Sequence, residues 1–171
     1  MPTGMPSLSD VFRVLEDMCR ARVLAEYAIG GATAVLFYAE PTRTYDLDVF
    51  VTLPTAGADL APLSGVYEWT LARGFSSLAE HVMIHSVPVQ FLPAHNPLVE
   101  QAIRHARELE YEGVKVRVID PEHLVALALQ AGGARRRERA WQLFEAGQID
   151  RDRLRTLLTT HNINVRIPDD V

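Results

Sequence analysis

The apolar positions of this chain change their period several times, and each change marks an element. After Ser7 or Ser9, either of which can cap a helix, Val11, Val14, Leu15, Met18 and Ala21 recur at helical spacing and predict a helix to about Arg22. Tyr27, Ala28 and Ile29 form a short apolar strand that runs into Gly30-Gly31, and Ala32 to Ala39 then reads as a helix. Tyr45 to Leu53 alternates and is rich in β-branched and aromatic residues, as a strand is. Leu63, Val66, Tyr67 and Leu71 place a helix over Leu60 to Arg73, ended by Gly74. His81 to His85 and Val87 to Leu92 are strand-like, either a hairpin or one bent strand, because Pro88 has no N–H for a central ladder. Asn96-Pro97 opens a helix carried by Leu98, Ala102, Ile103 and Ala106 and closed near Gly113, and Lys115 to Ile119 alternates again.

From Asp120 the helical period takes over. Asp120 is placed as an N-cap, with Pro121 at the first helical position and Glu122 in the first turn. Gly132-Gly133 breaks this helix, a second covers Arg135 to Glu145, and a third covers Arg151 to Thr160 after a turn at Gly147. The last ten residues predict no element. The fold class expected is α/β (α+β), a mixed sheet flanked by helices, with residues 1–120 as core and 121–171 as a helical segment packed on it.

Composition narrows the class. A chain of 171 residues that is 48% apolar buries a proper core and is not disordered. No apolar run reaches the roughly 18 residues of a membrane span, and MPTGMPSLSD lacks the basic-then-apolar order of a signal peptide, so a cytoplasmic protein is expected. Cys19 is the single cysteine, which excludes an intrachain disulfide or a cysteine-based zinc site; it is expected to be buried in the first helix. A net charge of -5 argues against a protein that grips nucleic acid over a broad face, while leaving room for a small basic patch.

The candidate chemistry lies between residues 28 and 53. On a strand, Asp46 and Asp48 point to one face with Cα atoms about 6.6 Å apart, while Leu47, Val49 and Val51 point to the other. Two such carboxylates repel each other unless both are solvated on an edge or share a hard divalent cation such as Mg²⁺. The Gly30-Gly31 turn is either an ordinary turn or a place where backbone approaches a phosphate, with a helix N-terminus behind it. Arg43 and Thr44 precede the aspartate strand, as a triphosphate contact and a turn cap or as surface loop residues. Arg135, Arg136, Arg137 and Arg139 read as the outer face of an amphipathic helix whose inner side is Ala134, Ala140 or Trp141, and Phe144; an arginine turned to the cleft would instead meet phosphate or an RNA end. His81 and His85 share a face in a single strand and have no third ligand within reach.

The order of strand, Gly30-Gly31, helix, Arg43-Thr44 and Asp46-Leu47-Asp48-Val49 resembles the signature of the nucleotidyltransferase superfamily, in particular its minimal and toxin–antitoxin branches. The run VPVQFLP is similar to the strand carrying that superfamily's third acidic residue, and DPEHLVALALQAG with the basic helix after it is similar to the segment following the core; the likeness covers about residues 24 to 145. It implies transfer of a nucleoside monophosphate from a nucleoside triphosphate to an acceptor hydroxyl, with Mg²⁺ on Asp46 and Asp48 and the nucleotide on Gly30, Gly31, Arg43 and Thr44. The acceptors compatible with it are a small molecule, a transfer-RNA end and a partner protein. Gln90 stands where the third carboxylate belongs, and an amide cannot take a proton from a hydroxyl at neutral pH. Glu80 and Glu100 are the other acids nearby; the usual lysine is replaced by Ala128 or a neighbour, and Glu138 stands where an aspartate is common. Two functions are therefore expected: Mg²⁺-dependent nucleotidyl transfer, or a catalytically impaired nucleotide- or protein-binding module such as one half of a toxin–antitoxin pair.

Overall fold

The computed structural model describes residues 7–39, 46–54 and 60–167. Helix α1 (Leu8–Arg20) begins at Ser7, whose hydroxyl accepts from the Ser9 N–H, and buries Val11, Phe12, Leu15 and Met18. Cys19 is only half-buried; burial above all pushes its thiol up to about 11. Strand β1 (Glu26–Ile29), helix α2 (Gly31–Val35) and strand β2 (Leu47–Thr52) follow. Then come α3 (Ser64–Ala72), β3 (Ser76–Leu78), β4 (His81–Ile84), β5 (Val87–Pro93) and α4 (Pro97–Arg104). Strands β6 (Arg107–Tyr111) and β7 (Val114–Val118) precede α5 (Pro121–Ala131), α6 (Ala134–Glu145) and α7 (Arg151–Thr160).

The strands form one mixed sheet in the order β3-β4-β5-β2-β1-β7-β6. β2 lies at its centre, parallel to β5 and antiparallel to β1. Its alternation does what the pattern predicts: Leu47, Val49 and Val51 are buried, whereas Asp48 and Phe50 are half-exposed on the other face. Helix α1 packs on β1 and β7, α4 packs on β1 and β2, and α5 touches α2, α4, α6 and α7. The expected mixed α/β sheet flanked by helices is thus observed.

Several local expectations are corrected. The helix expected to run to Gly113 ends at Arg104, and Arg107–Tyr111 is an edge strand paired with β7 through a Glu112-Gly113 turn, both at positive φ. Leu109 and Tyr111 alternate with charged residues along it and pack against the core, so its period is that of a half-exposed strand. The helix after the glycine pair lasts one turn instead of reaching Ala39. Of the hairpin and the bent strand expected over 81–92 the hairpin is observed, but β4 stops at Ile84 and His85 and Ser86, at φ 47° and 66°, form its two-residue turn, so His85 does not share a face with His81. On α3, Leu71 is 71% exposed and Thr70 takes the buried place, its hydroxyl donating to the carbonyls of Val66 and Tyr67. On α6 the inner face is Ala140, Leu143 and Phe144, while Trp141 is 41% exposed. No helix among the described residues is long and apolar enough to cross a membrane.

Asp120 caps α5 as expected, and it does more. Its carboxylate accepts from the His123 N–H at 2.9 Å, meets His123 Nδ1 at 2.9 Å and accepts from Arg153 Nη2 at 2.7 Å. Glu122 accepts from Arg153 Nη1 at 3.1 Å and from the Asp150 N–H at 2.9 Å. Burial alone would raise the Asp120 carboxyl, but the two His123 hydrogen bonds, with the charges of His123 and Arg153, outweigh it and hold the group at about 2. This network fastens the start of α7 to the start of α5.

Candidate active site

The site grows from the turn after β1. The Gly30 N–H donates to the Asp48 carbonyl at 2.9 Å, and Thr33 Oγ1 donates to the Asp46 carbonyl at 3.3 Å, so the turn is bonded to the aspartate strand. Gly31 has φ +58°, a left-handed conformation that disfavours a side chain, and a Cβ there would strike the Asp48 carboxylate. A Cβ on Gly30 would strike the Phe50 ring. The predicted helix dipole behind the turn is replaced by a single turn of helix, leaving the bare backbone at Gly30-Gly31 as what could approach a phosphate. Gly31→Ala is expected to cost about 1–3 kcal/mol and to displace Asp48, read as a lower melting temperature together with lost nucleotide binding.

Strand register assembles the rest. Asp48 stands opposite Gln90 in the parallel β2–β5 pair, and Gln90 stands opposite His81 in the antiparallel β4–β5 pair. Residues so paired project to the same face, so Asp48, Gln90 and His81 form a row across three strands. Asp46, just ahead of β2, has a side chain 50% exposed; His81 Nε2 lies 3.5 Å from its Oδ2 without hydrogen-bond geometry, and His81 Nδ1 lies 3.9 Å from Glu80. The sequence offers His81 only as a strand residue, and it is the β4–β5 register that sets it opposite Gln90. Burial, and after it Asp46, push the Asp48 carboxyl above its ordinary range; Arg139, His81 and Arg136 pull the other way.

These groups open into a cleft of about 780 Å³. Gly31, Asp48 and Gln90 line one end, and Val99, Leu124, Leu127 and Leu143 supply much of an apolar wall. Arg136 and Arg139, one turn apart on α6, both line this cleft, which corrects their expected place on an outer face. Burial of Ala140, Leu143 and Phe144 sets that rotation of the helix. Among the described residues neither arginine is ion-paired; Arg136 donates only to the Gly132 carbonyl, at 3.3 Å. Ala128 lines the cleft, whereas Glu80, Glu100 and Glu138 do not, so among the described residues none of these acids joins Asp48 there. Arg43 and Thr44 lie outside the described residues.

Among the described residues no group of three or more histidines, cysteines or acids is arranged to hold a metal. The donor set is instead a carboxylate pair, with Asp48 raised above its ordinary range by burial and then by Asp46, and one hard cation bound between them, its remaining positions on water and substrate oxygens, would relieve that repulsion.

Comparison with known proteins places this geometry. Residues 6–164 match a family model described as nucleotidyl transferase of unknown function (DUF2204). No curated protein matches the sequence. Among solved structures, an antigenic nucleotidyltransferase-like protein from Paracoccidioides brasiliensis superposes with TM-score 0.53 at 14% identity, over 90% of this chain and 86% of that one. ANT(2")-Ia in complex with adenylyl-2"-tobramycin gives 0.55 at 12% identity, over 91% and 97%. The antibiotic-resistance factor ANT(2'')-Ia in solution gives 0.54 at 12%, over 93% of each chain. At such identities the likeness is one of fold.

Proposed function

The chain belongs to this nucleotidyl transferase family, and from that premise we propose that its cleft binds a nucleoside triphosphate with Mg²⁺ on Asp46 and Asp48 and transfers the nucleoside monophosphate to an acceptor. The observation that carries the reading is the contact of the Asp48 carboxylate with Gly31, where any side chain would fill the space. Bound there, Mg²⁺ would neutralise triphosphate oxygens and stabilise the leaving pyrophosphate. The chain's own residues do the rest. Asp46 and Asp48 present hard oxygen donors on one side of the strand, and the glycine backbone lets a phosphate lie against them. Arg139, half-buried within the cleft, supplies fixed positive charge for the triphosphate. Gln90, opposite Asp48, orients by hydrogen bonding and does not move a proton.

Calorimetry with Mg²⁺ and each nucleoside triphosphate tests this directly. Metal-dependent binding is expected for at least one, and it should be lost in the double variant Asp46→Asn, Asp48→Asn; binding indifferent to metal or to that variant overturns the reading. Gln90 also favours a second reading, a module that binds nucleotide without turnover. Binding without pyrophosphate release from any acceptor, with release gained by Gln90→Glu, would decide for the module.

A further inference from the structure

We propose that the end of the cleft away from Asp48 reads the nucleobase and selects guanine, through hydrogen-bond donors on Gln130 and His95; this rests on the transferase reading above. On the face of the sheet that carries Asp48, side chains repeat every second residue, so the paired Asp48 and Gln90 are followed about 6.6 Å further on by the paired Phe50 and Leu92. Strand β5 ends at Pro93, and His95 and Asn96 come next, at the start of α4. They line the same cleft as Gln130 in the last turn of α5. A nucleotide with its phosphates on the metal-binding row and its long axis along the cleft lays its base over Phe50 and turns the edge of the base to these three residues. The Phe50 ring lies against the bare backbone of Gly30, where a Cβ would strike it, and is half-exposed in the cleft. It is thus a held aromatic surface of the kind on which bases stack.

One backbone donor sets the chemistry of the polar end. Asn96 Oδ1 accepts from the Val99 N–H at 2.9 Å as the cap of α4, and this settles which way the Asn96 amide lies. Its Nδ2 is therefore the group that meets the other two side chains, donating to Gln130 Oε1 at 3.0 Å and lying 3.3 Å from His95 Nε2. Gln130 is held with its oxygen engaged and its two amide protons to offer. A neutral His95 that accepts at Nε2 carries its proton on Nδ1, so it too offers a donor.

Base edges answer such donors differently. Guanine sets two acceptors side by side, N7 and O6, whereas adenine places an amino donor beside its N7, cytosine presents an amino donor, and a uracil-type base presents one carbonyl, O4. Paired donors are satisfied by guanine alone of the four. Against adenine, one of them faces another donor and loses its water without gaining a partner.

Calorimetry on the intact protein with Mg²⁺ tests this. GTP should bind about tenfold or more tightly than ATP. The analogue 7-deaza-GTP, which has a C–H in place of N7, should bind about tenfold more weakly than GTP, while ITP, which keeps N7 and O6 and lacks only the 2-amino group, should stay within about twofold of it. Gln130 is exposed, so its replacement leaves the fold intact; Gln130→Leu should bring GTP down to about the affinity of ATP and leave ATP within about twofold of its wild-type value. ATP bound as tightly as GTP, 7-deaza-GTP bound as tightly as GTP, or a Gln130→Leu effect that falls on all triphosphates alike or on the acceptor alone overturns the proposal. Failure of every triphosphate to bind removes the transferase reading itself, whereas triphosphates bound without regard to base leave that reading standing and overturn only this one.

Discussion

Asp48→Asn is expected to raise the melting temperature of the free protein while removing most of its nucleotidyl transfer. The folded state lifts the Asp48 carboxyl above its ordinary range, mainly by burial and then by the charge of Asp46. A carboxyl so raised holds its proton more tightly folded than unfolded. Its contribution to stability is therefore fully present below the unfolded value and lost as pH rises through the folded one. At neutral pH the ionised group works against folding, and the amide of similar shape does not. A gain of roughly 2–4 °C is expected at pH 7, shrinking toward zero at pH 3, in melts with chelator present. On the proposed reading, transfer should fall by about 10²–10³-fold, because the metal would lose a charged ligand. A lower melting temperature for the variant at pH 7 would contradict this account.

Arg153→Met should cause the largest loss of stability. Arg153 is itself 43% exposed, so the loss comes not from its own burial but from Glu122, 3% exposed and left without a cation, and Asp120, 1% exposed and left with His123 alone. Removing one partner from such a buried set costs about 3–5 kcal/mol. Urea unfolding at pH 7 measures it directly. The same network sets the acid limit of the wild type. Because Asp120 is held at about 2 against an ordinary 3.8, its stabilisation is complete above the ordinary value and disappears as pH falls toward 2. Wild type should lose stability steeply across that window, and the variant less so. Equal urea midpoints at pH 7 would refute the assignment.

How much of this was legible beforehand depended on whether the controlling interactions were local. The alternation of Leu47 to Thr52 and the cap at Asp120 are written within a few residues and agree with the structure, and of Ser7 and Ser9 it is Ser7 that caps the first helix. The row of Asp48, Gln90 and His81 depends on register between three strands, and β4–β5 register depends on two non-glycine residues at positive φ, which carry no strong turn signature. The inward turn of Arg136 and Arg139 depends on which side of α6 meets its neighbours, and Trp141 offered a rival apolar face that solvent keeps. Strand β6 offers only two apolar residues, Leu109 and Tyr111, too short a period-2 signal to stand against the helix before it without its partner β7.

Helix α5 joins two regions that have no chemistry in common. Leu124, Leu127 and Ala128 wall the cleft, while Asp120 and Glu122, at the start of the same helix, are anchored by Arg153 on α7. In mechanical terms α7 is a brace on that wall, and the floor of the cleft and its wall are held by separate supports, the sheet register for one and a charged joint for the other. Loosening the joint would let the wall drift while Asp46 and Asp48 stayed in place, so a variant weakened at Arg153 would lose grip on whatever rests against the wall before it lost the metal.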